Sequence, residues 1–150
     1  MSCRRSFRAA SSRRQYSSNS SLSVLARKAR CSASDCRAAV SRSQAVKTGL
    51  VVFTSGQIGL DPATSELVSQ DFEAQVRQSF SNLAAVAQAA GGSLANAVKF
   101  TLFLTDLSKF AKVNEIMTEV VARPYPARST VGVASLPKGA QFEVEAILVL

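Results

Sequence analysis

The chain has 150 residues, 47% of them hydrophobic and 19% charged, the composition of one globular domain with a real core. It has no histidine, and its three cysteines, Cys3, Cys31 and Cys36, all lie near the N-terminus, so the body offers no Ser-His-Asp or Cys-His catalysis, no thiolate metal cage and no disulfide framework. The net charge of +8 is equally uneven: ten basic residues face one acid, Asp35, through Val46, while eight basic residues face nine acids from Lys47 onward, which leaves the body no electrostatic case for gripping a nucleic-acid backbone.

Residues 1–35 carry five arginines before residue 15, many serines and alanines, and no acid before Asp35. This is the composition of an organelle transit peptide. Arg13-Arg14 ahead of Gln15-Tyr16 suits cleavage after Tyr16, and the expected destination is the mitochondrial matrix, with a plastid or the cytoplasm as alternatives. A basic tail without an address is the other reading. A nucleic-acid arm is disfavoured because only Phe7 and Tyr16 are available for stacking on bases. No run of about 18 apolar residues occurs, so no membrane span is expected.

The body begins with Leu50-Val51-Val52-Phe53-Thr54, a β-branched and aromatic run that reads as a buried strand with a backbone irregularity at Ser55-Gly56. From Asp71, apolar residues recur at Phe72, Val76, Phe80, Leu83, Val86 and Ala90, which predicts an amphipathic helix closed by Gly91-Gly92. Ala97 to Leu104 alternates like a half-buried strand. Asp106 or Ser108 can cap a second helix with an inner face of Phe110, Val113, Met117 and Val120, ended by Pro124 and Pro126. Two strands follow, Arg128 to Ala134 and Gln141 to Leu150, joined at Leu136-Pro137-Lys138-Gly139. The order predicts an α+β domain over 43–150, a mixed β-sheet with two helices on one face.

In the last strand Phe142, Val144, Ala146, Leu148 and Leu150 share one face, and Glu143 and Glu145 share the other with Ile147 and Val149. That second face is partly apolar, so a subunit packed against it is the simplest expectation. Arg128 and Glu143 fall on what the order of elements makes neighbouring strands. An arginine fork holds a carboxylate bidentately and a nearby carboxylate handles a water proton, which points to a small anionic substrate attacked by water. Ser55 has no base to activate it as a nucleophile, so its expected role is hydrogen bonding.

Val46-Lys47-Thr48-Gly49, Phe53-Thr54-Ser55-Gly56-Gln57-Ile58, Asp106-Leu107 with Phe110 and Val113-Asn114, Pro126-Ala127-Arg128-Ser129, Leu136-Pro137 and Glu143-Val144-Glu145-Ala146 together resemble the Rid family, also called YjgF-like or endoribonuclease L-PSP proteins. The resemblance implies a chorismate-mutase-like fold, a homotrimer with sites in the clefts between subunits, and hydrolysis of 2-imino acids such as 2-iminobutanoate and 2-iminopropanoate, or their enamines, to 2-keto acids and ammonia. It implies no cofactor and no metal. Carried over, Arg128 binds the substrate carboxylate, Glu143 positions water and moves its proton, Ser55 and Gly56 edge the pocket, and Asn114 lies near the subunit contact. Thr130 stands where cysteine is frequent, and its backbone groups remain available to substrate. Arg42 stands where imine-hydrolysing members have a tyrosine, and would add a second carboxylate contact or alter the pocket; Gly132 replaces a commonly acidic position. Two rival functions are a non-catalytic trimer that binds a small carboxylate or a protein, and an endoribonuclease acting as a translation inhibitor.

Overall fold

Residues 43–150 are the part of the chain that the computed structural model describes; the transit-peptide reading, cleavage after Tyr16 and the placement of Arg42 fall outside the described residues. β1 (Ala45–Thr48) and β2 (Val51–Thr54) form an antiparallel hairpin with Thr48 opposite Val51. The apolar pattern announces β2 but not β1, whose four residues include only Ala45 as a buried position and which is a strand because β2 folds back beside it.

β2 runs on into β3 (Gln57–Ile58), and both pair with the last strand, β6 (Phe142–Val149). Phe53 pairs with Ile147 and Gln57 with Val144, so four steps on one side meet three on the other. This one-residue bulge is the irregularity expected at Ser55-Gly56. The buried Thr54 hydroxyl fills the break: it donates to the Ala146 carbonyl at 3.1 Å and accepts from the Ala146 N–H at 2.8 Å. Thr54→Val keeps the shape and strands both backbone groups, so we expect a loss of roughly 2–4 kcal/mol in chemical denaturation. Thr54→Ser should recover most of it, and a valine variant as stable as the parent would refute this account.

α1 (Phe72–Ala89) starts where Asp71 accepts the Ala74 N–H at 2.8 Å. It stops as the sequence indicates: Gly91 takes a φ of +94°, its N–H donates to the Gln88 carbonyl, and the Gly92 N–H donates to the Ala87 carbonyl, each at 3.0 Å. Its buried face contains the expected Phe72, Val76, Phe80, Leu83 and Val86, and also Gln75 and Ser79. Gln75 is fully used: Nε2 donates to the Ser69 carbonyl and Oε1 accepts from the Gln141 N–H, both at 2.9 Å, which ties the approach to α1 to the start of β6.

β4 (Ala97–Leu104) follows, then a turn of 3-10 helix over Leu107–Lys109 leading into α2 (Phe110–Val120). Asp106 caps the 3-10 turn, accepting the Ser108 N–H at 2.9 Å, whereas α2 itself begins after Lys109 without a side-chain cap, so neither Asp106 nor Ser108 caps α2 directly. β5 (Ala127–Gly132) then lies parallel to β4, while the other pairings are antiparallel, in the order β1-β2-β6-β4-β5 with β3 also on β6. Both helices cover one face, where Phe80, Leu83, Val113 and Ile116 meet Phe100, Leu102, Leu104, Phe142, Val144 and Leu148. The α+β layer with two helices on one face of a mixed sheet is therefore present. No described helix is long and apolar enough to cross a membrane.

One expectation is corrected. β5 and β6, adjacent in sequence, are not neighbours in the sheet, because β4 lies between them. Chain neighbours often pair, but β6 buries Phe142, Val144, Ala146 and Leu148 on the core side and takes the central position, leaving the edge to the half-exposed β5.

Candidate functional site

Arg128 is in register with the buried Phe100, and partners in a parallel pair point to the same side. Its side chain thus emerges on the helix-bearing face of the edge strand, against α2. Nη1 donates to Asn114 Oδ1 at 2.6 Å and lies 3.4 Å from Met117 Sδ, and the guanidinium carbon sits 5.0 Å from the centre of the Phe110 ring. Residues 110, 114 and 117 share one helix face, so a single stripe of α2 receives the arginine. Among the described residues its hydrogen bonds all run through Nη1, which leaves the Nε–Nη2 edge open to a carboxylate. Thr130 is in register with Leu102 and lies on the same side of β5, half-buried.

Glu143 pairs with Phe103 and belongs to the opposite, helix-free face. Its carboxylate lies directly on the bulge: a Cβ placed on Gly56 would be 1.7 Å from Glu143 Oε1. Beside it, the Ser55 hydroxyl donates to the Ser43 carbonyl at 2.6 Å and the Ser55 N–H to the Gln44 carbonyl at 2.8 Å. These bonds hold the segment just after residue 42 against the end of β2. Glu145 points to the same face as Glu143 and lines a separate depression of about 110 Å³ with Phe53, Lys99, Thr101 and Ile147. Lys99 Nζ there donates to the Ser129 hydroxyl at 2.6 Å. Val46, Phe53, Val131 and Val149 stand exposed on this face.

The candidate residues thus fall into two groups, Arg128 with Asn114 and Thr130 on one side of the sheet, Glu143 with Gly56 and Ser55 on the other. A single protomer does not bring them together. Phe110 and Met117 were legible only as core positions, and their contact with Arg128 depends on β5 lying beside α2, which no local pattern announces. On the exposed outer surface of the helices, Arg77 bonds Glu119 at 2.7 Å and Glu73 at 2.8 Å. The hydrogen bond from Arg77 holds the Glu119 carboxyl below its ordinary pKa. Paired, solvated charges of this kind tie α1 to α2 and do no chemistry. Among the described residues, no three of His, Cys, Asp and Glu gather as a metal site.

Residues 33–150 match the profile of the family described as Endoribonuclease L-PSP. The 2-iminobutanoate/2-iminopropanoate deaminase of Dermatophagoides farinae is 43% identical over 108 residues, 72% of this chain and 84% of that protein. The Homo sapiens protein of the same name is 39% identical over 107 residues, 71% of this chain and 78% of its own. Among solved structures, RidA from an Antarctic Psychrobacter superposes with a TM-score of 0.72 at 51% identity, over 75% of this chain and 91% of that one. The family match over residues 33–150, with relatives at this level of identity, makes the chain a member of the endoribonuclease L-PSP family, whose members are also called Rid or YjgF-like proteins.

Proposed function

We propose that the protein hydrolyses small 2-imino acids, or their enamine tautomers, to 2-keto acids and ammonia, in sites completed between the subunits of a homotrimer. One observation carries the reading: each protomer holds an arginine with an open carboxylate-binding edge on one side of its sheet and a glutamate packed over Gly56 on the other. Two copies packed edge to face would supply one small substrate with both, and the exposed Val46, Phe53, Val131 and Val149 give that face an apolar reason to be covered. Relatives named for 2-iminobutanoate and 2-iminopropanoate deamination support the substrate class.

In this mechanism Arg128 of one copy binds the carboxylate bidentately and turns the imine carbon toward a water held by Glu143 of the next. Water adds to the C=N bond as Glu143 takes its proton. The proton passes to the imine nitrogen to give the carbinolamine, whose hydroxyl proton is then carried by Glu143 to the amine as the C–N bond breaks, leaving the keto acid and releasing ammonia. Asn114 steadies the arginine, Thr130 lines the floor beside it, and Gly56 and Ser55 form the edge under Glu143. Nothing in these steps calls for a cofactor.

The test is keto-acid and ammonia release from 2-iminobutanoate generated in place by a threonine dehydratase. We expect acceleration by the full chain and none by its Arg128→Ala variant. A folded wild-type protein without effect would leave a carboxylate-binding module in place of an enzyme. We also propose that residues 1–35 form a mitochondrial presequence. Fused ahead of a fluorescent reporter they should direct it to mitochondria, and a diffuse reporter would sink that assignment.

A further inference from the structure

We infer that Phe110 is a positioning residue for Arg128, the surface that holds the guanidinium in one orientation before any ligand arrives. The inference deepens the proposed function by naming what prepares its carboxylate clamp. Arg128 is exposed on an edge strand, and a free arginine there would sample many rotamers. Ordering such a side chain costs on the order of 2 kcal/mol, which would weaken every carboxylate it bound.

Three contacts from α2 remove that freedom in different directions. Asn114 Oδ1, 2.6 Å from Nη1, fixes one corner within the guanidinium plane, and Met117 Sδ backs the same nitrogen at 3.4 Å. Neither fixes the tilt of the plane about that corner. The Phe110 ring, with the guanidinium carbon 5.0 Å from its centre, does so, because the cation is drawn to the ring's negative face. Anchoring through one corner and one face leaves the Nε–Nη2 edge free and aimed. Phe110 is also dispensable to the core: it is half-buried at the first residue of α2, and Val113 and Ile116 supply the fully enclosed positions.

The experiment follows the Arg128 Nε–H by NMR relaxation, identifying its signal by loss in Arg128→Ala, in wild type, Phe110→Leu and Phe110→Tyr, beside KM and kcat for 2-iminobutanoate. Leucine keeps apolar bulk and loses the π face; tyrosine keeps both. We expect the order parameter to fall from about 0.8 to below about 0.6 in Phe110→Leu and to return in Phe110→Tyr. KM should rise about 3- to 10-fold in Phe110→Leu with kcat within about twofold, since the clamp holds ground state and transition state alike. An equally ordered Nε–H in Phe110→Leu, or no recovery in a folded Phe110→Tyr, overturns the inference. Absence of imine hydrolysis by wild type would remove the proposed reaction while the relaxation readout still decides the role of Phe110.

Discussion

Mixing unfolded Arg128→Ala and Glu143→Ala chains in equal amounts and refolding them together should restore about one quarter of the imine hydrolysis proposed for the wild type, although each variant alone is expected to fall by about 100-fold or more. The number follows from the two groups of residues. Arg128 and Glu143 are on opposite faces of the sheet with β4 between their strands, so an intact pair must join one copy's arginine to the next copy's glutamate. In a ring of three built at random, about three-quarters of the assemblies contain both variants, and in each of these about one site in three is formed by two unmutated residues. The same mixture joined by native-state incubation would recover activity only as fast as subunits exchange. No recovery after co-refolding into trimers would mean that both residues act within one chain, which the sheet order opposes. The result therefore tests oligomer, site composition and the roles of both residues at once.

What the sequence made legible is what depends on near neighbours along the chain. The 3.6-residue recurrence from Phe72 to Ala90, the Asp71 cap and the Gly91-Gly92 stop define α1 because each is a local choice of dihedrals and hydrogen bonds. The alternation in β6 separates core from open face correctly for the same reason. The sheet order was not legible, because it is decided by which strand buries most once all are present, and the expectation that β5 and β6 are neighbours failed there. Gln75 illustrates the other limit. A polar residue one step from an apolar stripe reads as solvated, and only the approach of Ser69 and Gln141 makes it a fully satisfied core residue. Within the candidate site, resemblance picked out Arg128, Asn114, Glu143 and Gly56, but their division between two faces could be read only from the register of β4 with β5 and β6.

Gly56→Ala should lower imine hydrolysis nearly as far as Glu143→Ala, by about 100-fold, while leaving the denaturation midpoint close to wild type. The new Cβ would fall 1.7 Å from Glu143 Oε1, 2.7 Å from Cδ and 3.0 Å from Cγ, so something must move. All three atoms belong to the far part of one side chain on the open face. The Glu143 side chain would be displaced by rotation with the backbone left in place, and would thereby leave the position proposed for holding water. Gly59 provides the contrast. A Cβ there would lie 2.7 Å from the Cα and 2.8 Å from the carbonyl oxygen of Gln75, which are backbone atoms of α1 and cannot swing aside. Gly59→Ala should therefore act on stability, by roughly 1–3 kcal/mol, with activity per folded molecule largely kept. If Gly56→Ala instead proved fully active, a displaced Glu143 would be compatible with turnover and could not be the group that handles the water proton. If both glycine variants lost stability and kept activity per folded molecule, the bulge would be a packing feature of the β3–β6 junction, and the acid would have to be sought elsewhere on the open face, with Glu145 beside Lys99 the first residue to replace.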